Sequence, residues 1–335
     1  MKIIVPMAGR GSRLRPHTLT VPKPLIPIAG KPIVQRLVED IVSVCGDKNV
    51  DEIAFIIGDF GAQIEEHLTK VAENLGAKGT IYFQDKPLGT AHAIYCAADS
   101  MDDEIVVAFA DTLFRADFTL DTDADSVIWV KQVKNPSDYG VVQFAEDGTI
   151  NNFIEKPKEF VSDSAIIGIY YFKDGPGLRK ELKHILDNGI LKKGEYQLTD
   201  ALSALMNQGK VFRPGTVIDW MDCGNKAITL TTNGKMLKYL EGKPELRGEN
   251  IQMENVEIIE PCYIGSNVVL KNAKIGPDVS LGDYCIVENA TIEGSLIQTH
   301  STISNIHLKD SMIGNHAHAD GRWTSVSLGD YSRMD

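Results

Sequence analysis

Short apolar runs alternate with longer amphipathic stretches over the first two thirds of the chain. Compact β-rich runs predict strands, and apolar residues at helical spacing predict helices between them. The strands are predicted at residues 2–7, 52–57, 81–84, 104–109, 126–132, 141–144 and 166–172, and the helices at residues 33–44, 64–75, 91–100, 178–186 and 199–208. This alternation indicates an α/β fold with a parallel, doubly wound sheet whose ligands bind at the carboxyl ends of the strands.

A different pattern begins near residue 251. Apolar residues recur there in steps of five or six, at positions 258, 264, 270, 275, 281, 287, 292, 297, 303, 308 and 313. Ile264-Gly265, Ile275-Gly276 and Leu281-Gly282 each begin a copy of an I/L-G-x-x-x unit. A hexapeptide period is typical of a three-sided parallel β-helix with one inward aliphatic residue on each face, here in about three to four coils.

The change of pattern predicts three parts. Residues 1–225 form the α/β domain, residues 226–250 a helical linker, and residues 251–335 the β-helix. The linker carries Gly234, Gly242, Pro244 and Gly248, which interrupt regular structure between domains.

Composition agrees with a globular protein of two domains. The chain has 335 residues, of which 43% are hydrophobic, and domains usually span roughly 100–200 residues. No apolar run approaches the ~18 residues that cross a bilayer, and the apolar N-terminus is too short for a signal peptide. The five cysteines contain no C-x-x-C pair, so neither a disulfide framework nor a zinc site is indicated. We expect a reduced, soluble, cytoplasmic protein.

Charge is distributed unevenly. The net charge of −12 argues against binding to nucleic acid or to an anionic membrane. Residues 1–38 nevertheless contain seven basic residues and no acidic one, so this segment carries +7 and the remainder −19. A basic segment in an acidic protein suggests a small anionic ligand.

The loop after the first predicted strand reads Ala8-Gly9-Arg10-Gly11-Ser12-Arg13-Leu14-Arg15-Pro16. It lacks the third glycine of the dinucleotide-binding fingerprint and the Gly-Lys-Ser/Thr of the P-loop. A glycine-rich turn after a strand still offers backbone N–H groups to phosphates, and Arg13 and Lys23 can add charge. Taken alone, the motif is as compatible with a purely structural turn.

The motifs that follow make the pattern specific. They are Pro22-Lys23-Pro24-Leu25-x-Pro27-x-x-Gly30-Lys31-Pro32, Gln84-x-x-Pro87-Leu88-Gly89-Thr90-Ala91, Ala110-Asp111, Tyr139-Gly140-Val141, Glu155-Lys156-Pro157, Gly194-Glu195-x-x-x-Thr199-Asp200 and Trp220-x-Asp222-x-Gly224. In this order, and over nearly the whole chain, they resemble the sugar-1-phosphate nucleotidylyltransferases. The resemblance implies a Rossmann-like nucleotidyltransferase domain followed by a short left-handed β-helix, as in the long thymidylyl- and uridylyltransferases.

The resemblance also implies roles for individual residues. The catalytic residues would be Arg13, Lys23, Asp111, Lys156 and Asp222; the nucleotide-binding residues Ala8, Gly9, Gly11, Ser12, Arg13, Lys23, Gln84, Pro87, Gly89 and Thr90; and the sugar-phosphate residues Gly140, Glu155, Lys156, Ile166 and Glu195. Asp111 and Asp222 would hold Mg²⁺, which prefers one or two carboxylates together with water and phosphate oxygens. The Gln84 amide would match the N3–H and O4 edge of uracil or thymine, although guanine would also suit an amide.

The implied reaction joins a nucleoside triphosphate to a sugar 1-phosphate. An oxygen of the sugar phosphate attacks the α-phosphorus in line, and pyrophosphate leaves, so the protein contributes mainly positioning and charge neutralisation. We expect an enzyme similar to glucose-1-phosphate thymidylyltransferases, with a UDP-glucose or UDP-N-acetylglucosamine pyrophosphorylase as the alternative. A third interpretation is a catalytically weak regulatory subunit that binds sugar nucleotides. The presence of all five charged catalytic residues argues against it.

Some positions depart from the family pattern. Arg10 stands for a common glycine, Ala110 for the usual glycine before the metal-binding Asp, Thr112 for a frequent Asn and Cys223 for a common Thr. None of these changes removes a charged catalytic position, but they leave the subfamily open.

Four of the eight histidines, His300, His307, His316 and His318, fall in the predicted β-helix. Because β-helix acyltransferases use a histidine and coenzyme A, a second, acyltransferase activity in the β-helix is an alternative. Histidines that simply lie on the surface of a β-helix are more common. We also expect the β-helix to be an assembly module that makes the protein a homo-oligomer.

Overall fold

The structure is a computed structural model that describes residues 1–9, 11–116, 120–192, 194–321 and 326–334. Proximity of Cα atoms divides the chain into two compact units: a first unit of Met1–Gly9 with Leu37–Trp220, and a second unit of Arg10–Arg36 with Met221–Asp335. The predicted limits of 1–225, 226–250 and 251–335 stay predictions, because proximity does not show which parts fold independently.

The regular elements follow the predicted alternation. Strands β1 to β13 lie at Lys2–Pro6, Pro27–Ile28, Lys31–Pro32, Glu52–Ile57, Lys78–Phe83, Ile105–Ala108, Thr112–Arg115, Ser126–Gln132, Gly140–Phe144, Ile150–Glu155, Ser164–Phe172, Phe212–Thr216 and Asp219–Asp222. Helices α1 to α6 lie at Ile33–Val44, Ala62–Asn74, Thr90–Tyr95, Gly175–Asp187, Leu198–Asn207 and Lys226–Tyr239. Helix α1 and strands β4 and β8 begin and end where the sequence pattern predicts.

The first unit is built on a mixed sheet. Its strand order is β10-β9-β11-β6-β1-β4-β5, with β8 paired to β11 and β12 paired to β8. Strand β1 runs parallel to β4 and β6, and β4 runs parallel to β5. Every residue of β4 is buried, as expected for a parallel strand covered on both faces. The α/β prediction is therefore confirmed.

The second half of this sheet differs from the predicted parallel arrangement. Strand β11 runs antiparallel to β6, β8 and β9, and β10 runs antiparallel to β9. Short connections can join antiparallel strands, whereas parallel strands need a crossover of a dozen or more residues. The sequence pattern also missed β10 and β12. Strand β10 has a register irregularity, and β12 contains Pro214 and Gly215, both uncommon in strands.

The C-terminal part of the second unit is a parallel β-helix. Strands β14 to β26 lie at Gln252–Ile258, Cys262–Ile264, Val269–Ile275, Val279–Leu281, Ile286–Glu288, Thr291–Glu293, Leu296–Ile297, Thr302–Ser304, His307–Lys309, Met312–Ile313, His318–Asp320, Ser327–Leu328 and Arg333–Met334. Leu270 pairs with Val287, Val287 with Ile303, and Ile303 with Ala319, all fully buried. These partners are 16 or 17 residues apart, which is three steps of five or six. The predicted β-helix is confirmed.

The corners of the β-helix repeat as well as its faces. Asn255, Asn272, Asn289 and Asn305 all have positive φ, between 48° and 53°. Each of the first three donates its side-chain amide to the next asparagine, at 2.9–3.2 Å. Asparagine tolerates the left-handed region better than other side chains, so a column of it suits a corner that every coil must turn.

A second corner carries a column of stacked rings. Tyr284, His300, His316 and Tyr331 follow one another with ring centroids 4.7–5.0 Å apart and interplanar angles of 8° or less. All four residues are exposed. Two of the four histidines in the β-helix therefore stack on neighbouring aromatic rings at its surface.

Candidate active site

The predicted site residues are divided between the two units. The first unit contains Ala8 and Gly9 after β1, Gln84, Pro87, Gly89 and Thr90 between β5 and α3, Asp111 after β6, Gly140, Glu155, Lys156 and Ile166 on β9 to β11, and Glu195 before α5. The second unit contains Gly11, Ser12, Arg13, Lys23 and Asp222. Arg10 lies outside the described residues. Each group is described within its own unit.

The loop that contains Gly89 is held tightly against the chain before α5. The amide of Tyr196 donates to the carbonyl of Leu88 at 2.8 Å, and the amide of Ala91 donates to the carbonyl of Tyr196 at 3.0 Å. A Cβ atom on Gly89 would lie 2.5 Å from the Tyr196 oxygen and 3.0 Å from Cβ of Glu195. Gly89 also has φ 113° and ψ 177°, a region that only glycine enters readily. Two predicted site residues, Gly89 and Glu195, are thus brought together.

We expect Gly89→Ala to be strongly destabilising. Gly61 is a matched control, because it also precedes a helix with φ 83° and ψ 155°, yet has no atom within 4 Å of its Cβ position. Both alanines incur the backbone strain of about 1–3 kcal/mol, but only Gly89→Ala adds a steric clash. Chemical denaturation should show a loss in unfolding free energy that is ~1–3 kcal/mol larger for Gly89→Ala than for Gly61→Ala. Equal losses would contradict the tight fit of this loop.

The orientation of the Gln84 amide follows from its neighbours. Gln84 Nε2 donates to the carbonyl of Gly89 at 3.3 Å and lies 3.0 Å from Nδ1 of His92. The Gly89 carbonyl can only accept, so nitrogen rather than oxygen must face it. Burial lowers the pKa of His92, which favours the neutral ring whose Nδ1 can accept. The Gln84 carbonyl oxygen is consequently the atom left to accept a hydrogen bond.

Gly140, Glu155 and Ile166 form one cluster. A Cβ atom on Gly140 would lie 3.0 Å from Oε2 of Glu155, 3.4 Å from Cδ1 of Ile166 and 3.6 Å from Cγ2 of Thr199. Gly140 and Glu155 are direct partners in the β9–β10 register. The missing side chain at residue 140 therefore leaves the Glu155 carboxylate room at the strand ends.

Lys156 follows this cluster with an unusual backbone. Its φ of 45° is in the left-handed region, where few residues other than glycine occur. Its amide donates to the carbonyl of Tyr139 at 3.1 Å, which holds the turn. The side chain is 55% exposed, and its Nζ lies 3.7 Å from Oε1 of Glu155. Strain of this kind persists where the surroundings fix it, often at functional sites.

Three of the sequence motifs meet near Asp111. Trp220 Nε1 donates to Oγ1 of Thr112 at 2.9 Å, and the ring of Trp220 packs edge-on against Tyr139 at 5.0 Å between centroids. The pKa of the buried Tyr170 hydroxyl is raised by burial and then by the negative charges of Glu155 and Asp111. The Tyr170 hydroxyl therefore keeps its proton, and Asp111 and Glu155 act on the same region of the first unit.

Four of the predicted site residues of the second unit, Gly11, Ser12, Arg13 and Lys23, lie in one compact loop. Thr18 Oγ1 donates to the carbonyl of Gly11 at 2.8 Å. Gly11 has φ 59°, and a Cβ atom there would lie 2.7 Å from Cβ of Lys23. Short 3₁₀ turns at Ser12–Leu14 and Lys23–Leu25 carry Arg13 and Lys23. At Asp222 the backbone carbonyl accepts a hydrogen bond from Thr232 Oγ1 at 2.6 Å.

The described residues contain no cluster of three or more His, Cys, Asp and Glu side chains that would hold a metal by themselves. A divalent ion such as Mg²⁺ binds through one or two carboxylates and completes its shell with water and phosphate oxygens. The exposed carboxylate of Asp111 is a donor of the required type.

Several residues that shape the site were not predicted from the sequence. They are Tyr196, whose backbone holds the Gly89 loop; His92, which orients Gln84; and Tyr170 beside Glu155 and Asp111. Tyr196 acts through its main chain, so its residue type gives no signal. Thr199 was within a quoted motif, but its place beside Gly140 depends on how α5 packs.

Comparison with known proteins gives consistent results. The sequence profile of the family described as nucleotidyl transferase matches residues 2–238. A glucose-1-phosphate thymidylyltransferase of Streptomyces antibioticus is 29% identical over 365 aligned positions that cover 100% of this chain and 99% of that protein. A bifunctional protein GlmU of Methanococcus maripaludis is 31% identical over 333 positions, covering 94% of this chain and 77% of the other. The crystal structure of UDP-glucose pyrophosphorylase complexed with UDP-glucose has a TM-score of 0.57 at 23% identity, covering 71% of this chain and 98% of that one, which shows a shared fold.

The mixed α/β sheet with loops at the ends of its strands is an architecture that binds ligands at those ends. The chain belongs to the nucleotidyl transferase family. The narrower resemblance to sugar-1-phosphate nucleotidylyltransferases is confirmed, and the protein is an enzyme of that kind. No helix among the described residues is long and apolar enough to cross a membrane.

Proposed function

We propose that this enzyme transfers a nucleoside monophosphate from dTTP or UTP to glucose 1-phosphate, with Mg²⁺ as its metal ion, and releases pyrophosphate. The end-to-end similarity to a glucose-1-phosphate thymidylyltransferase carries this proposal, and it favours a thymine or uracil nucleotide and glucose. The orientation of the Gln84 amide is compatible with that choice. Its carbonyl oxygen, which is left to accept, pairs with the imino N–H of the pyrimidine in this assignment, and the exocyclic amines of other bases are donors that the same oxygen accepts.

We assign the triphosphate to the loop that follows β1. The amides of Ala8, Gly9, Gly11 and Ser12 face the phosphates in this assignment, and Arg13 and Lys23 neutralise charge that develops on the α-phosphate and on the leaving pyrophosphate. Pro87, Gly89 and Thr90 border the base. Thr90 Oγ1 accepts from the amide of Leu198 at 2.9 Å, which leaves its O–H to donate.

We assign the sugar phosphate to the cluster around Gly140. Glu155 and Glu195 accept hydrogen bonds from sugar hydroxyls, Gly140 leaves space for the ring, and Ile166 packs against it. The exposed ammonium of Lys156 binds the phosphate by a charge-assisted hydrogen bond. These contacts hold the attacking oxygen in line with the α-phosphorus, so orientation supplies much of the rate enhancement.

We assign Asp111 and Asp222 as the Mg²⁺ ligands. A bound Mg²⁺ supplies charge neutralisation at phosphate oxygens. The buried Tyr170 hydroxyl, whose pKa is raised by burial and by the charges of Glu155 and Asp111, stays protonated next to this region.

Two alternatives have distinct chemistry. A UDP-glucose or UDP-N-acetylglucosamine pyrophosphorylase would use the same loops with UTP as its nucleotide and, in the second case, N-acetylglucosamine 1-phosphate as its sugar. A catalytically weak regulatory subunit would bind sugar nucleotides without releasing pyrophosphate. We further propose that the protein is cytoplasmic, where its nucleotide substrates are found, and that it is a homo-oligomer that assembles through the β-helix.

A pyrophosphate-release assay tests the proposal. Five triphosphates, dTTP, UTP, GTP, ATP and CTP, are each combined with glucose 1-phosphate, N-acetylglucosamine 1-phosphate or galactose 1-phosphate and Mg²⁺. We expect dTTP or UTP with glucose 1-phosphate to be fastest, and ATP and CTP to be slowest. Preference for N-acetylglucosamine 1-phosphate would select the first alternative, and bound nucleotide sugar without any pyrophosphate release would select the second.

A further inference from the structure

The segment that carries Arg13 and Lys23 is folded onto the end of the β-helix within the second unit. His17 Nε2 and Ser327 Oγ share a hydrogen bond of 2.8 Å, and the Thr20 hydroxyl donates to the Asp330 carboxylate. In both pairs the partners are 310 residues apart in sequence. The last coil of the β-helix therefore supports the loop directly.

Gly329 makes this contact a close one. A Cβ atom on Gly329 would have as its three nearest neighbours Cβ, Cγ and the carbonyl oxygen of Pro16, at 3.0, 3.3 and 3.3 Å. Because its three nearest neighbours all belong to Pro16, a side chain at position 329 would push on the loop first. Glycine is what lets the loop lie at this distance.

A displacement of Pro16 would reach the rest of the loop, because a hydrogen bond and a close contact connect the residues of the loop to one another. Thr18 Oγ1 holds the carbonyl of Gly11, and Gly11 abuts Lys23, which is only 7% exposed. Pro16 and His17 stand between Arg13 and Thr18 in sequence. A shift at Pro16 or His17 therefore moves Arg13 and Lys23 as well.

The other end of the segment is anchored to an earlier coil. Gly30, with φ 90°, lies directly against the ring of Tyr263, and no side chain fits between them. The amide of Ala29 donates to Asn233 Oδ1 at 2.9 Å, and Ser280 Oγ donates to the same oxygen at 2.8 Å. The segment is thus fixed to the β-helix on both sides of Lys23.

His17 is a neutral hydrogen-bonding group. It is 1% exposed, and burial lowers its pKa to about 4, with Lys226 acting in the same direction and Asp330 against it. Nδ1 of His17 has no partner among the described residues. The tautomer with its proton on Nε2 places the N–H where Ser327 can accept it.

We propose that the last coil of the β-helix positions the triphosphate-binding loop, with Ser327 and Gly329 as positioning residues. The inference rests on the proposed function, because it takes Arg13 and Lys23 to bind the triphosphate. It gives the β-helix a part in the reaction that does not depend on subunit assembly. Displacement of a binding group by ~1 Å can lower the rate about 100-fold. The contacts of Ser327 and Gly329 with the loop therefore affect the reaction if they fix the positions of Arg13 and Lys23.

Gly329→Val and Ser327→Ala test the proposal in the full-length enzyme. We expect Gly329→Val to raise the KM for the triphosphate at least ~10-fold, because it wedges Pro16 away from the coil. Ser327→Ala should raise it ~3–10-fold through loss of one hydrogen bond, and Ser327→Thr should restore it, since threonine keeps the hydroxyl. The KM for sugar 1-phosphate should stay within about twofold in all three, because its assigned contacts lie elsewhere.

Ser304→Ala is the matched control. Ser304 lies on a different face of the same β-helix, at the end of β21, and its removal should leave both KM values unchanged. Light scattering should give the same oligomeric state for every variant. If the oligomer of a variant dissociates as its triphosphate KM rises, the last coil acts through subunit assembly, and the proposed positioning of the loop is wrong. Unchanged triphosphate KM in both Gly329→Val and Ser327→Ala would overturn it outright.

Arg13→Ala separates this inference from the proposed function. If Arg13→Ala weakens triphosphate binding in calorimetry but Gly329→Val and Ser327→Ala do not, the loop binds triphosphate and only the positioning role is wrong. If Arg13→Ala leaves binding unchanged, the assignment of the triphosphate to this loop is wrong, and the inference falls with it.

Discussion

Asp111→Asn and Asp222→Asn are each expected to lower kcat at least ~100-fold. Each substitution keeps the side-chain volume and removes one of the two carboxylate charges assigned to Mg²⁺. A bound divalent ion stabilises the transition state more than the ground state, since charge grows on the phosphate oxygens as the α–β bond breaks. The KM for sugar 1-phosphate should change much less, because Lys156 is assigned to hold it. Steady-state kinetics over a range of Mg²⁺ concentrations measures both constants.

The double variant tests whether the two aspartates form one site. It should lose far less activity than the product of the single losses, because either change alone already disables a shared site. Multiplicative losses would indicate two independent roles. Asp99→Asn is the control, since Asp99 is an exposed aspartate in a 3₁₀ turn away from the strand ends. Near-normal activity of Asp111→Asn at saturating Mg²⁺ would exclude the metal assignment.

Lys156→Ala should impair the use of sugar 1-phosphate and leave nucleotide binding nearly intact. The charge-assisted hydrogen bond to the phosphate is worth about 1.5–3 kcal/mol, which corresponds to a loss of ~10–150-fold in kcat/KM for the sugar. The cost in stability should be small, because the side chain is 55% exposed and its ion pair with Glu155 is 3.7 Å long. Titration calorimetry with the triphosphate and kinetics with sugar 1-phosphate separate the two substrates.

Lys158 provides the control for Lys156. It is an exposed lysine two residues further along the chain, and Lys158→Ala should leave both substrates unaffected. If instead triphosphate affinity collapses in Lys156→Ala, Lys156 belongs to the nucleotide site and its assignment to the sugar phosphate is wrong.

Local patterns predicted the elements whose environment is uniform along their length. Helix α1 has an apolar face at helical spacing, and β4 is a short β-rich run in which every residue is buried, so the local pattern predicted where both begin and end. Strand β10 has its apolar residues Ile150, Phe153 and Ile154 at helical spacing and not in alternation, and β12 contains Pro214 and Gly215. Those strands form because neighbouring strands offer hydrogen bonds, which a local reading cannot detect.

Motifs predicted which residues belong to the candidate site but not how they act. Gln84 was expected to offer both a donor and an acceptor to the base. Its donor instead faces the Gly89 carbonyl and His92, so only its oxygen is left for the base. The need for glycine at position 89 likewise comes from the Tyr196 backbone, which lies more than one hundred residues away along the chain.

The sequence by itself determined the α/β architecture, the β-helix with its period of five or six, and the family, because these depend on repeated local patterns and ordered motifs. Only the tertiary structure decided that the segment of Arg13 and Lys23 folds onto the last coil of the β-helix. That grouping depends on pairs such as His17 with Ser327, 310 residues apart. Such pairs are chosen by shape and hydrogen bonding once both parts are folded, and neither partner alters the periodicity of its own segment.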